Sequence, residues 1–230
     1  MPRDRKMSLT PELVARVHRE VADDGPAPGF IAMADADYDE VLDKLWAGRP
    51  GQDDLWIFAY GSLIWRPACA TEDQRFATLR GWHRDFCLKL MRFRGTPEFP
   101  GLMMALDRGG ACRGVIQRLP RDNTRSCLTQ LIRREMSVKP STNQPRWITV
   151  ESHGERVRAI AIAADRRGYN YDGGRSIEDI AHVLSRAVGH WGSGAEYLMQ
   201  TVKHLEELGI HDCYLWRLQE LVAEKIRNGA

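Results

Sequence analysis

Two places in this 230-residue chain combine residue types and spacing that could do chemistry. The first is Glu135. On a helix advancing about 100° per residue it falls between Leu128, Leu131 and Ile132 on the apolar stripe, while Arg133 and Arg134 point elsewhere. Burial disfavours the charged form of a carboxyl and raises its pKa, which suits a group that must take and return a proton near neutral pH. The same spacing is compatible with a plainer role, in which Glu135 near the helix end reaches solvent or pairs with an arginine. The second place is Tyr60-Gly61-Ser62-Leu63, where an apolar run ends in a glycine and a small hydroxyl residue before the chain turns at Arg66-Pro67. Successive backbone N–H groups and a serine hydroxyl can cradle a carboxylate or phosphate, and glycine lets the ligand approach closely. An ordinary strand-end turn would read the same way.

Other polar groups carry less. The seven histidines show no H-E-x-x-H pattern and no tight pairing, so no metal is expected. Gly189-His190-Trp191-Gly192-Ser193-Gly194 imitates a phosphate loop, but it follows a helix and lacks the P-loop lysine, so it reads as a helix-to-helix connection. Ser62 is not in a G-x-S-x-G elbow, and no cysteine has a recognisable histidine partner nearby. Tryptophans and methionines read as core.

Composition narrows the partner. Thirty-three basic against thirty-one acidic residues leave +2, too balanced to imply nucleic-acid or membrane binding, and the expected partner is a small molecule. No apolar run reaches the ~18–20 residues of a membrane span, and the opening MPRDRKMSLT has no hydrophobic signal core. Five cysteines, odd in number and without C-x-x-C, suggest neither a disulfide framework nor a zinc site. A cytoplasmic, reducing location is the expectation.

The elements that must position these residues follow from period and punctuation. Thr10 caps a helix with Pro11 at its first position and Leu13, Val14, Val17 and Val21 on one face, before the breaker at residues 24–29. Asp37 and Glu40 resemble a capping box ahead of a Tyr38, Val41, Leu42, Leu45 stripe. With a linker at residues 49–54, residues 1–52 read as a helical extension and 53–230 as the main domain. Strands are predicted over 55–60 and over 76–91, with Gly81 as a bulge. Two hairpins are predicted, around Asp107-Arg108-Gly109-Gly110 and around Ser152-His153-Gly154-Glu155. Helices are expected over Thr124–Met136 and from Ser176, Ala195 and Asp212, with Gly209 ending one of them. Strands gathered in the middle with helices before, between and after argue for the α+β class.

Taken in order, Phe58-Ala59-Tyr60-Gly61-Ser62-Leu63-Ile64-Trp65, Arg80-Gly81-Trp82-His83-Arg84, residues 94–101, Arg133-Arg134-Glu135-Met136, residues 177–181 and Glu196-Tyr197-Leu198 resemble the ChaC family of γ-glutamylcyclotransferases. The resemblance runs from about Leu55 to the last helix. It implies a small mixed β-barrel with helices, no cofactor, glutathione as substrate, and 5-oxoproline and Cys-Gly as products. It also implies that Phe58, Ala59, Tyr60, Gly61, Ser62 and Leu63 form the glutamyl-binding loop and that Glu135 is the acid/base. Tyr171 corresponds to a further substrate-site tyrosine, with Tyr169 as the competing assignment, and Arg94 is a second pocket candidate. Some members carry glycine at the position of Ala59, and residues 136–140 look like the bacterial branch. Two alternatives remain beside this reading: an amidohydrolase using Ser62 as nucleophile, which would release free glutamate, and a module that binds γ-glutamyl groups without catalysis.

Overall fold

A computed structural model describes residues 6–26, 28–51 and 54–229. The 52/53 boundary, Ala27 of the breaker and the first five residues lie outside the described ones. Two compact units divide the chain, one of residues 1–27, 86–103 and 172–230, the other of residues 28–85 and 104–171. The two halves of the N-terminal extension thus fall in different units.

The second unit carries every residue of the site described below. Its centre is a closed barrel in the order β2-β4-β3-β6-β7, from β2 (Trp56–Ala59), β3 (Asp73–Leu90), β4 (Gly101–Arg118), β6 (Asn143–Ser152) and β7 (Glu155–Ala164). The ends of β3 and β4 belong to the first unit. Neighbours such as β2 and β4 run antiparallel, whereas Ile57 pairs parallel with Ile160 and Leu106 with Ala163, so the barrel is mixed. A short antiparallel pair, β1 (Ile31–Ala32) and β5 (Val138–Lys139), lies outside it.

The expected α+β class therefore holds, and the β6–β7 hairpin forms as read. Ser152 pairs with Glu155 across His153 (φ 51°) and Gly154 (φ 82°), the two positive φ values of a turn that follows the strands' twist. The other predicted hairpin does not form. Gly101–Arg118 is one strand, in which Gly109 (φ 113°) and Gly110 (φ 63°) take up left-handed backbone within the strand instead of reversing it. Gly81, the expected bulge position in β3, has left-handed backbone at φ 79°.

Two helices of this unit bear on the site. In α2 (Asp35–Ala47) Asp37 is not the cap: its Oδ2 accepts from Ala34 N, 2.8 Å away, and Tyr38, Leu42 and Leu45 are buried. Helix α3 (Thr124–Glu135) buries Cys127, Leu128, Leu131 and Ile132, the stripe on which its amphipathicity depends. Arg133 donates to Asp35 at 2.6 Å and Lys139 to Asp37 at 2.7 Å, which ties α2 to the end of α3 and to β5. The helix stops after Glu135 because Met136 turns to extended backbone, its N–H still bonded to Ile132 O.

The first unit is helical. Its elements are α1 (Pro11–Val17), α4 (Ile177–Leu184), α5 (Gly194–Glu207) and α6 (Cys213–Arg227). Thr10 caps its helix as expected, the helices expected from Ser176 and Asp212 are capped by those residues, Ser193 caps α5, and Gly209 (φ 70°) follows α5 in the left-handed conformation. Helix α1 ends at Val17, so Val21 is not on it. The 189–194 loop is no plain connection but the small hairpin β8 (Val188–Gly189) and β9 (Gly192–Ser193). Among the described residues no helix is long and apolar enough to cross a membrane.

Candidate active site

Strand β2 is buried at all four positions and ends at Ala59, after which Ser62–Ile64 makes one 3-10 turn. Phe58, Ala59, Tyr60 and Leu63 all have their side chains in the core, and Tyr60 OH donates to Ile162 O at 2.8 Å. Four of the six residues expected to bind substrate therefore hold the loop in place with their side chains. What these four side chains leave unburied for other contacts is the backbone around Gly61 and the Ser62 hydroxyl. The opening N–H groups of a helical turn have no carbonyl within the turn to meet, which is what an anion cradle needs.

Two residues to which the sequence assigns no role of their own shape this loop. Arg84, 4% exposed, donates through Nε to Tyr60 O at 2.6 Å and through Nη2 to Arg113 O. A trans peptide points its C=O and N–H in opposite directions, so drawing the Tyr60 carbonyl toward Arg84 turns the Gly61 N–H away from it. Period-2 alternation puts Arg84 on the inward face with Trp82, and that was the available signal. Gly114 lies across from the loop's start: a Cβ there would meet Ala59 O at 2.5 Å and the Phe58 ring at 3.0 Å. A glycine inside a strand often marks such a close backbone approach.

Glu135 is the last residue of α3, and its side chain is 18% exposed. It is shielded without being sealed in, a correction to the expectation of a buried carboxyl. Burial nonetheless dominates and pushes its carboxyl above the ordinary range, with the Arg134 guanidinium pulling the other way. Arg134 does not point elsewhere. A long side chain at a helix end can fold back, and its Nε lies 3.4 Å from Glu135 Oε1 while Nη2 donates to Ser62 Oγ at 2.9 Å and Nη1 to Arg66 O. One guanidinium thus brings the glycine turn and the glutamate into one constellation.

The nucleophile readings lose ground here. Ser62 Oγ accepts from a guanidinium, a permanent cation that cannot take the hydroxyl proton. Cys69 lies against Cys127, and burial together with that neighbour pushes its thiol up to about 12, far from a reactive thiolate.

Tyr171 and Tyr169 differ. Tyr171 OH donates to Asp107 Oδ2 at 2.8 Å, whereas Tyr169 is largely exposed, edge-on to Phe30. Asp107 also accepts from Arg166 at 2.7 and 3.1 Å and from Arg108 N at 2.8 Å. His83, Asp85 and Asp107 bring ligand atoms within 4.8 Å of one another, a grouping the histidine spacing did not reveal. A cation there would have to displace Arg166 from Asp107, so the trio suits an ion-pair network better than a metal centre. In the first unit Arg94 is held by Ser193 O at 2.8 Å and Glu196 at 2.9 Å.

Comparison with known proteins bears on the same residues. The family described as ChaC-like protein matches residues 55–225. The chain is 37% identical over 188 residues to the glutathione-specific γ-glutamylcyclotransferase of Escherichia coli (strain K12), covering 80% of each. It is 29% identical over 158 residues to glutathione-specific γ-glutamylcyclotransferase 1 of Homo sapiens, covering 67% of this chain and 71% of that protein. A crystal structure of a yeast γ-glutamyl cyclotransferase specific to glutathione shares the fold, with TM-score 0.68 at 20% identity over 74% of this chain and 96% of that one. The matched span takes in the barrel, the glycine turn after β2 and the helix ending at Glu135, and on that span the chain belongs to the ChaC-like protein family.

Proposed function

We propose that this protein is a γ-glutamylcyclotransferase that converts glutathione to 5-oxoproline and cysteinylglycine, with Glu135 as the acid/base. The observation that carries the reading is a shielded carboxyl with a raised pKa, linked through Arg134 to a glycine-serine turn. The nucleophile is the substrate's own α-amine. Glu135 takes a proton from the α-ammonium group, the freed amine attacks the γ-carbonyl carbon, and a five-membered lactam closes as the bond to the cysteine nitrogen breaks. Overall the attacking nitrogen loses two protons and the leaving nitrogen gains two. A single carboxyl that accepts and returns one proton at a time, with solvent exchanging the other, completes that balance.

The backbone around Gly61 and the Ser62 hydroxyl hold the α-carboxylate, which keeps amine and carbonyl close and substitutes proximity for a covalent enzyme intermediate. Phe58, Ala59, Tyr60 and Leu63 fix that backbone from the core, and Tyr171 lines the substrate site from its bond to Asp107. The described cysteines are all free, which suits a reducing cytoplasm, and the near-neutral charge suits a small-molecule partner rather than nucleic acid.

The test is incubation with glutathione and detection of 5-oxoproline and cysteinylglycine. Free glutamate instead would indicate the hydrolase, and binding without turnover the non-catalytic module. Glu135→Gln keeps the shape and removes the proton shuttle, so activity falls by ~10² or more in a folded protein. Rates for γ-glutamylcysteine and γ-glutamylalanine measured beside glutathione test the specificity, and equal rates would overturn the glutathione preference while leaving the cyclisation standing.

A further inference from the structure

We infer that Arg134 is a positioning residue for this reaction: its guanidinium ties the Ser62 turn to Glu135 and holds a fixed positive charge beside the reacting carboxyl. The inference rests on the assignment of Glu135 above and adds a role that the reaction scheme does not require. Three nitrogens of one side chain face three partners, Ser62 Oγ at 2.9 Å, Arg66 O, and Glu135 Oε1 at 3.4 Å. The first two contacts are hydrogen bonds that anchor the guanidinium on the loop. The third is longer than a charge-assisted hydrogen bond, about 2.7–2.9 Å, so the cation biases the carboxylate without clamping it.

That difference suits a proton carrier. A fork-on-fork pair would favour the ionised form and make the carboxyl a poorer base, whereas no nearby cation would leave burial and the negative end of α3 unopposed and raise its pKa further. Arg134 is the charge that counters burial at Glu135. Other charged groups of the adjoining elements are turned to partners of their own: Arg133 to Asp35 on α2, and Lys139 on β5 to Asp37. From β6, the group that meets Glu135 is the neutral amide of Asn143, bonded to the backbone carbonyl at 3.4 Å.

The pH dependence of kcat/KM for 5-oxoproline release from glutathione, with melting temperature read alongside, tests this in three variants. Arg134→Gln removes the charge, so the acid limb moves to higher pH and kcat/KM at pH 6 falls by about tenfold, the equivalent of about 1.4 kcal/mol. Arg134→Lys keeps a charge but cannot span three partners, so its acid limb stays near the wild-type position while KM rises. An unmoved limb in folded Arg134→Gln, or an unchanged KM in Arg134→Lys, overturns the inference. If Arg134→Gln does not fold, the Arg134→Lys KM decides alone. Glu135→Gln separates the two levels: wild-type turnover there removes the catalytic assignment and this inference with it, whereas an inactive Glu135→Gln beside an unmoved Arg134→Gln profile removes this inference only.

Discussion

Glu135 and Asp107 are both carboxylates of the same compact unit, both shielded from water and both next to an arginine, yet they are driven in opposite directions. At Asp107 burial is the largest single influence and raises the pKa, but Arg166, the Tyr171 hydroxyl and the Arg108 N–H together outweigh it and hold the carboxyl below its usual range. At Glu135 burial wins, because the charge that opposes it, Arg134, lies at 3.4 Å and donates hydrogen bonds to the loop instead. Proximity of an arginine therefore does not predict the outcome. The number of hydrogen bonds to the charged form does, and a carboxylate denied them is the one left able to exchange a proton.

The largest effect should come from Glu135→Gln, whose expected loss of ~10² or more in activity leaves stability intact or improved. A raised folded-state pKa contributes stability that is present at low pH and lost as pH rises through it. The variant lacks that loss, so wild type should fall behind Glu135→Gln in melting temperature as pH rises from about 4 toward neutral. Asp107→Asn should behave in the opposite sense. Its lowered pKa contributes stability that is present above the ordinary aspartate range and lost as pH falls, so the variant should be less stable at pH 7 and converge on wild type below about pH 4. With Arg166 half exposed, screening limits the cost to about 1–2 kcal/mol, or about 2–8 °C in a chain of this size. The acid limb of activity should stay where it is in Asp107→Asn. Parallel pH slopes for the two variants would break the comparison.

How far these differences were legible in the sequence depends on the range over which each is determined. Local signals were reliable: the Ser152–Glu155 turn, the Thr10 cap, the helix starts at Ser176 and Asp212, and the apolar stripe leading to Glu135 each depend on residues a few positions apart. Asp107-Arg108-Gly109-Gly110 misled because two glycines permit a turn without compelling one, and the chain continues through them as strand β4. Arg84 and Gly114 act on the loop from 24 or more positions away, through a carbonyl and through the lack of a side chain; alternation marks Arg84 as inward and a strand glycine marks a close approach, but neither says what lies opposite. Arg134 was assigned to the wrong side because helix periodicity places Cα–Cβ directions, not the end of a flexible side chain. The anchoring of Tyr171 to Asp107 joins residues 64 positions apart.

The smallest effect belongs to Ser62→Ala. On the proposed function the Ser62 hydroxyl meets the substrate's α-carboxylate, and it already accepts from Arg134 at 2.9 Å. Its removal costs one hydrogen bond on each side of that oxygen, and Arg134 keeps its hold on Arg66 O, so the guanidinium stays near the loop. The expected result is a rise in KM of severalfold, about 1 kcal/mol, with kcat nearly unchanged and the acid limb in place, because the charge beside Glu135 has not moved. A nucleophilic serine would behave differently, since its loss abolishes turnover. An inactive but folded Ser62→Ala would therefore return the hydrolase reading to consideration, and a pure KM effect would leave Glu135 as the group that does the chemistry and the loop as the part that holds the substrate.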